Sequence, residues 1–355
     1  WSRRTRLMSY KQMTGNIISA TKVEPAGPFQ GSAASGVWNL QDQYDYRRGG
    51  NWPETGNALS RGLFMGGQTG SDRIDVIQSV NLASDGNAVD FGDLTKGEGA
   101  LLGAALGSSI RGVHGGGFPS ATDVIEFVNF ATTGNGTDFG DLSAANFGLT
   151  ACSNGTRGLF AGGKAPSNAT DTIDYITIAN TGNATDFGNL SEAKYYAGAL
   201  ASPTRGVFSG GQNGSNTYVN TMEYVTIGST GNVTDFGDLS ATRAQMEGCA
   251  SATRGLFMGG LASNSAKLNI IEYITIANTG NTTDFGDLTI AKNLSAACSS
   301  ATVGLSAGGL ISGGQTNSID KVTIGSTGNG SDFGDLVGAN NSLAGCSNSH
   351  GGIAA

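Results

Sequence analysis

The tripeptide Asp-Phe-Gly occurs six times in this chain, starting at Asp90, Asp138, Asp186, Asp235, Asp284 and Asp332, with steps of 48, 48, 49, 49 and 48 residues. A period near fifty is the mark of one supersecondary unit copied around a ring or along a stack. This regularity constrains the fold more than any other feature, because only a repeat architecture holds one step constant over six copies.

Each copy has the same internal grammar. In the copy beginning at Lys194, a run of small residues (Ala197-Gly198-Ala199-Leu200-Ala201) precedes the turn Ser202-Pro203-Thr204. Next come Arg205-Gly206-Val207-Phe208-Ser209-Gly210-Gly211 and a polar loop of variable length. Met222 to Ile227 then alternates with period two, as a half-buried strand does, and Ser229-Thr230-Gly231-Asn232 turns the chain into Val233-Thr234-Asp235-Phe236-Gly237. This reads as four strands, A to D in chain order, with turns about every ten residues. Gly-Asn recurs in all six C–D turns, from Gly86-Asn87 to Gly328-Asn329, and is expected there because both residue types tolerate positive φ. A double glycine closes strand B in all six copies, from Gly66-Gly67 to Gly308-Gly309, which predicts close backbone approach or positive φ. Glycine makes up 58 of 355 residues, roughly twice ordinary usage, while 38% of the chain is hydrophobic and 14% charged, a composition of many short strands and tight turns rather than of disorder.

Four strands per unit, this period and a Gly-Gly after the second strand resemble kelch-type β-propeller repeats. The resemblance covers roughly residues 58–355. The usual kelch tryptophan on the fourth strand is replaced by Phe91, Phe139, Phe187, Phe236, Phe285 and Phe333, each expected to pack between neighbouring blades. The expected fold is therefore all-β: a six-bladed propeller of four-stranded blades over 58–355, preceded by an extension over 1–57. Little chain precedes Arg61 to form a first strand A, whereas Ser342 to Ser347 supplies a spare one after the last strand D. That segment is expected to pair with Leu63-Phe64 and close blade 1.

Candidate chemistry is sparse. The cysteines Cys152, Cys249, Cys298 and Cys346 share one strand-A position that Leu106 and Leu200 occupy in other copies, so they read as packing residues rather than as metal ligands. The kinase meaning of Asp-Phe-Gly fails because it recurs six times without the accompanying kinase elements; each Asp is expected to lock a turn by bonding nearby amides. A second acid follows at Asp93, Asp141, Asp238, Asp287 and Asp335, a weak calcium pattern that falls short of six oxygens. Arg61, Arg111, Arg157, Arg205 and Arg254 share the A–B turn, with Val303 in the last copy; hydrogen bonding to nearby carbonyls or acids is favoured over a ligand-binding ring. Only His114 and His350 occur, which argues against histidine-based metal or acid–base chemistry, so no cofactor and no enzymatic activity are expected. The net charge of −8 argues against a nucleic-acid partner, and no apolar run reaches the ~20 residues of a membrane span.

What varies between copies is the B–C loops (68–73, 118–123, 164–172, 212–221, 261–268 and 310–318) and the D–A connections. In an up-and-down blade both sets emerge on one face, the arrangement of a scaffold presenting a binding surface. The candidate binding residues there are Asn146, Phe147, Lys194, Tyr195, Tyr196, Arg243, Gln245, Lys292 and Asn293, with aromatic and amide types suited to sugar stacking and hydrogen bonding.

Residues 8–57 do not repeat. Asn39 can cap a short helix over residues 40–48 ended by Gly49-Gly50, and Met8 is expected to be the natural start, with residues 1–7 foreign to it. Ser35-Gly36-Val37-Trp38-Asn39-Leu40-Gln41, Tyr46-Arg47-Arg48 and Asn51-Trp52-Pro53, together with the Arg-Gly-Leu-Phe and Thr-Asp-Phe-Gly-Asp-Leu repeats, resemble virion and tail-fibre proteins of marine cyanophages. The resemblance implies a virion protein of the phage tail or capsid surface, made in the host cytoplasm, whose propeller binds a host-surface glycan or protein and whose residues 8–57 dock on other virion subunits. A kelch-like protein-interaction scaffold is the alternative, and a propeller glycan lyase or hydrolase the third reading.

Overall fold

The computed structural model describes residues 60–95, 97, 101–165 and 168–353, all within the compact unit Leu59–Ala355. The expected helix over 40–48 and the docking segment 8–57 lie outside the described residues, among which no α-helix occurs.

Among the described residues, six four-stranded antiparallel sheets form the framework, each in the order A-B-C-D. Blade 4 is typical, with strands Gly198–Ala201, Arg205–Ser209, Thr221–Thr226 and Thr234–Asp238. The A strands touch one another in a closed circle and line a central channel, so the architecture is the expected six-bladed β-propeller. Closure is by the C-terminal strand. Ala344–Ser347 pairs with Arg61–Met65 in the register Leu63↔Cys346 and Phe64↔Gly345, so blade 1 takes its innermost strand from the far end of the chain.

The Asp-Phe-Gly motif is a β-bulge. In blade 1 Ile77 pairs with Gly92 and Gln78 with Asp90, which leaves Phe91 as the extra residue, and the same shift recurs in every blade. The unpaired Phe turns its ring inward, where all six are buried, and its carbonyl is free to accept from the next blade. It does so six times: the turn glycines Gly134, Gly182, Gly231, Gly280, Gly328 and Gly86 donate to Phe91, Phe139, Phe187, Phe236, Phe285 and Phe333 at 2.6–2.8 Å. The motif glycine has φ between 140° and 151°, and a Cβ on it would collide with the carbonyl group of the next blade's turn glycine. Close approach between blades therefore dictates Gly at this position.

Two local expectations are corrected. The Asn of the Gly-Asn turn is not at positive φ; its Oδ1 accepts the backbone N–H two residues after the preceding blade's Phe, as in Asn135 with Asp93 at 3.1 Å and Asn281 with Asp238 at 3.0 Å, in all six seams. The motif Asp residues lock nothing: all six are exposed and make no side-chain hydrogen bond among the described residues.

The cysteine position is a packing position. Each strand-A Cys or Leu fills the hollow above a strand-B glycine of the next blade, as Cys298 does over Gly62, Leu106 over Gly158 and Cys249 over Gly304. Burial pushes the Cys152 and Cys346 thiols up to about 12, which leaves them un-ionised and inert. The arginines are staples. Arg111, Arg157, Arg205 and Arg254 stack on the C-strand rings of Phe127, Tyr175, Tyr224 and Tyr273, with 4.3–4.6 Å to the ring centres, and donate to the carbonyls of Ile178, Ile227, Ile276 and Ile324 in the next blade. Blade 6 replaces the pair with Val303 and Lys321, and Lys321 instead reaches Asp85 of blade 1 at 2.5 Å. The last seam thus carries an ion pair where the others carry a stacked arginine bonded to a carbonyl.

Candidate binding face and channel

The D–A connections and B–C loops meet on one face, as expected. They pair as short antiparallel ribbons, Lys194–Tyr195 with Gln212–Asn213 and Arg243–Ala244 with Leu261–Ala262, or as single bridges such as Phe147↔Lys164 and Asn293↔Leu310. The A–B and C–D turns occupy the opposite face.

At the centre of the loop face the backbone closes a ring on itself. Leu102 donates to Ser342, Ser342 to Leu294, Leu294 to Gln245, Gln245 to Tyr196, Tyr196 to Gly148, and Gly148 to Leu102, all at 2.7–3.0 Å. Each blade junction contributes one residue. All six have φ between 53° and 63°, and only one is glycine. Five side-chain-bearing residues therefore hold a left-handed conformation that costs each about 1–2 kcal/mol, maintained by a cycle of hydrogen bonds that none could form alone.

Above this ring lies an open vestibule of about 610 Å³, lined by Leu101, Leu102, Phe118, Tyr196, Leu294 and Leu310 with the polar groups of Gln68, Gln315, Asn341 and Ser342. No described residue of its lining carries a charge. Beneath it the channel narrows to about 130 Å³ among small strand-A residues, with Glu247 the one carboxyl group among the described lining residues. Burial pushes the Glu247 carboxyl above its ordinary range, opposed by Lys292 and by hydrogen bonds from Ser295 and Ser306. The turn-face mouth is closed by the chain after strand A of blade 1. His350 Nε2 donates to Gly107 O at 2.9 Å, Gly352 N–H donates to His350 Nδ1 at 3.1 Å, and Gly351 N–H donates to Ala250 O at 2.9 Å. These bonds select the neutral imidazole, and burial lowers its pKa.

The nine loop-face candidates separate into two groups. Lys194, Arg243 and Lys292 are buried, each in an ion pair with a strand-C acid: Glu223 at 2.9 Å, Glu272 at 2.6 Å and Asp320 at 3.1 Å. Asn293 is also buried and donates to Gln245 Oε1 at 2.5 Å, while Tyr195 is mostly covered and donates to Asn216. Asn146 reaches inward to Gly162 O at 2.6 Å. Phe147 and Tyr196 stay part-exposed in an aromatic rim, with Phe147 against Phe118 at 5.1 Å, Tyr195 against Tyr196 at 4.8 Å, Arg73 over Phe118 at 5.7 Å and Lys164 over Tyr195 at 5.1 Å. Only Tyr196 of the nine lines the vestibule itself.

Sequence reasoning missed the buried acids. Glu126, Asp174, Glu223, Glu272 and Asp320 share one strand-C position, filled by Gln78 in blade 1. Their signal was present: strict alternation puts Glu223 in line with Val225 and Ile227, on the apolar side. The vestibule residues Phe118, Gln68 and Gln315 were equally missed, because only the folded ring brings loops of different blades together. Among the described residues no group of three or more His, Cys, Asp or Glu is placed to hold a metal ion, the Asp-x-x-Asp turns included. No protein-family model matches the chain, and no curated protein matches it significantly.

Proposed function

We propose that the chain is a virion or tail-fibre adhesin of a tailed phage, whose propeller binds a host-surface glycan or protein through the loop-face vestibule and does no catalysis. The observation that carries this reading is the vestibule: about 610 Å³, within the ~300–1,000 Å³ of small-ligand sites, with an aromatic rim and neutral amide and hydroxyl groups. Such a lining favours neutral, hydroxyl-rich ligands, for which rings supply stacking area and amides supply both donors and acceptors. The phage assignment rests on the resemblance of the repeats and of residues 8–57 to cyanophage virion proteins. On this reading 8–57 docks on other virion subunits, and the protein works at the virion surface after synthesis in the host cytoplasm.

The test is binding of the full chain to host cells and to a glycan array. Tyr196→Ala and Phe118→Ala are expected to lower binding at least tenfold with little change in melting temperature. Undiminished binding by both variants would move the site elsewhere, and failure of the full chain to bind any host surface would overturn the adhesin reading.

A further inference from the structure

The buried strand-C acid divides its oxygens in the same way in blades 4, 5 and 6. One oxygen accepts from a Ser or Thr of the preceding blade: Glu223 from Ser191, Glu272 from Ser240 N–H and Asp320 from Thr289. The other oxygen meets a cation from the D–A connection, at Lys194, Arg243 and Lys292 respectively. Burying a carboxylate demands such a partner, because desolvation of an unpaired charge costs several kcal/mol.

Blade 3 keeps half of this arrangement. Asp174 is 6% exposed, and its Oδ2 accepts from Ser143 N–H at 2.9 Å and Ser143 Oγ–H at 2.7 Å. The cation position holds Asn146, which is too short to replace it. Its Nδ2 donates to Gly162 O, the contact that Arg243 makes to Gly259 O in blade 5, and no arm reaches the acid. Asp174 Oδ1 and Asn146 Oδ1 are buried and without a hydrogen-bond partner among the described residues. Both residues line a cavity of about 80 Å³ whose wall also includes Thr170 and Thr172. The hydroxyls of those two threonines lie 2.9 Å apart, and Thr172 is the counterpart of Thr221, which receives the Lys194 ammonium at 3.3 Å. The exposed Ser143 and Ala144 at the cavity edge connect it to solvent. Blade 1 makes the contrast plain, because a neutral Asn340 there accompanies a neutral Gln78.

We infer that blade 3 binds a compact monovalent cation (potassium, sodium or ammonium) between Asp174, Asn146 and the Thr170–Thr172 hydroxyl pair, where blades 4 to 6 hold a lysine or arginine. A single positive charge neutralises Asp174 as the sister lysines neutralise their acids. A divalent ion would leave an excess charge buried and would find one carboxylate where calcium sites gather several. Neutral oxygens from an amide and two hydroxyls complete a coordination shell suited to a weakly held ion.

The full chain should be melted at constant ionic strength in the chlorides of potassium, sodium, ammonium and tetramethylammonium, the last too large for the cavity. At least one small cation is expected to raise the melting temperature saturably, by about 2–4 °C over tetramethylammonium. Asn146→Lys, which installs the sister blades' own cation, is expected to abolish that dependence. Equal melting in all four salts, or an Asn146→Lys protein that responds as strongly as the parent, would overturn the inference. Sodium-NMR line broadening on the parent protein, reversed by the preferred competing cation, gives a readout independent of how the variant folds; the absence of saturable broadening and of any competition would count against the site.

Discussion

The turn face and the loop face of this propeller are built on opposite terms. Along the seams that join the D strands to the next blade's C–D turn, the same three contacts recur six times: a bulged Phe ring, its carbonyl accepting from a turn glycine, and a turn Asn accepting from the preceding blade's D strand. On the loop face the backbone keeps the symmetry, with one left-handed residue per blade in a closed hydrogen-bonded cycle, while the side chains there differ. Leu102, Gly148, Tyr196, Gln245, Leu294 and Ser342 share a conformation and a backbone bonding role while presenting five different residue types. Sixfold identity belongs to what holds blades together, and a face that keeps its backbone but changes its side chains is one on which specificity can be written. The buried acids lie between these extremes: blades 4 to 6 pair theirs with lysine or arginine, blade 3 has Asn146 where the cation would be, and blade 1 has the uncharged Gln78 and Asn340.

The contrast can be broken at several points. The largest effect is expected from removing residues 342–355, which takes away the strand that pairs with Leu63-Phe64 and the segment that closes the turn-face mouth. Blade 1 then has three strands and an open edge, and circular dichroism melting is expected to show loss of the cooperative transition rather than a modest shift. A truncated protein that melts like the parent would show that closure contributes little.

Next is Lys292→Asn, which turns the blade 5–6 junction into a copy of the blade 2–3 junction. With tetramethylammonium as the monovalent cation, it leaves Asp320 buried without a positive partner and is expected to cost about 3–5 kcal/mol in urea denaturation, as breaking one side of a buried pair does. A cost under about 1 kcal/mol would mean that the acid adapts without a charge partner, and would remove the distinction between blade 3 and blades 4 to 6.

How much of this can be read from the chain depends on the range of the interaction. Period, strand order, closure by the last strand and the packing role of Phe and Cys follow from residues recurring at one repeat position, where six copies act as six independent observations of one environment. The role of the motif Asp does not follow, because recurrence does not distinguish a residue that is bonded from one that is merely exposed. Residue type marks the loop-face candidates, and type misleads for Lys194, Arg243 and Lys292, whose long stems reach buried acids about thirty residues ahead. The vestibule is invisible in the sequence because Phe118, Tyr196, Leu294 and Gln315 come from different junctions and meet only once the ring has closed.

A smaller effect is expected at the turn-face mouth. Burial holds the His350 imidazole below its ordinary 6.5, so its contribution is full above pH 6.5 and is lost as pH falls through the lower folded-state value. Protonation puts an N–H where Nδ1 accepts from Gly352. The melting temperature is expected to decline as the medium is acidified below about pH 6.5, and His350→Gln is expected to flatten that part of the profile. An unchanged profile in the variant would place the pH dependence elsewhere.

The central claim is that the sixfold Asp-Phe-Gly is a fastening between blades in which Phe acts and Asp does not. The most direct measurement is urea denaturation of Phe236→Ala beside Asp235→Ala. Phe236 is 1% exposed, and its truncation is expected to cost about 3–5 kcal/mol. Asp235 faces solvent with no side-chain hydrogen bond among the described residues, and its truncation is expected to change stability by less than about 0.5 kcal/mol. Equal losses in the two variants, or a larger loss at Asp235, would contradict this account of the repeat.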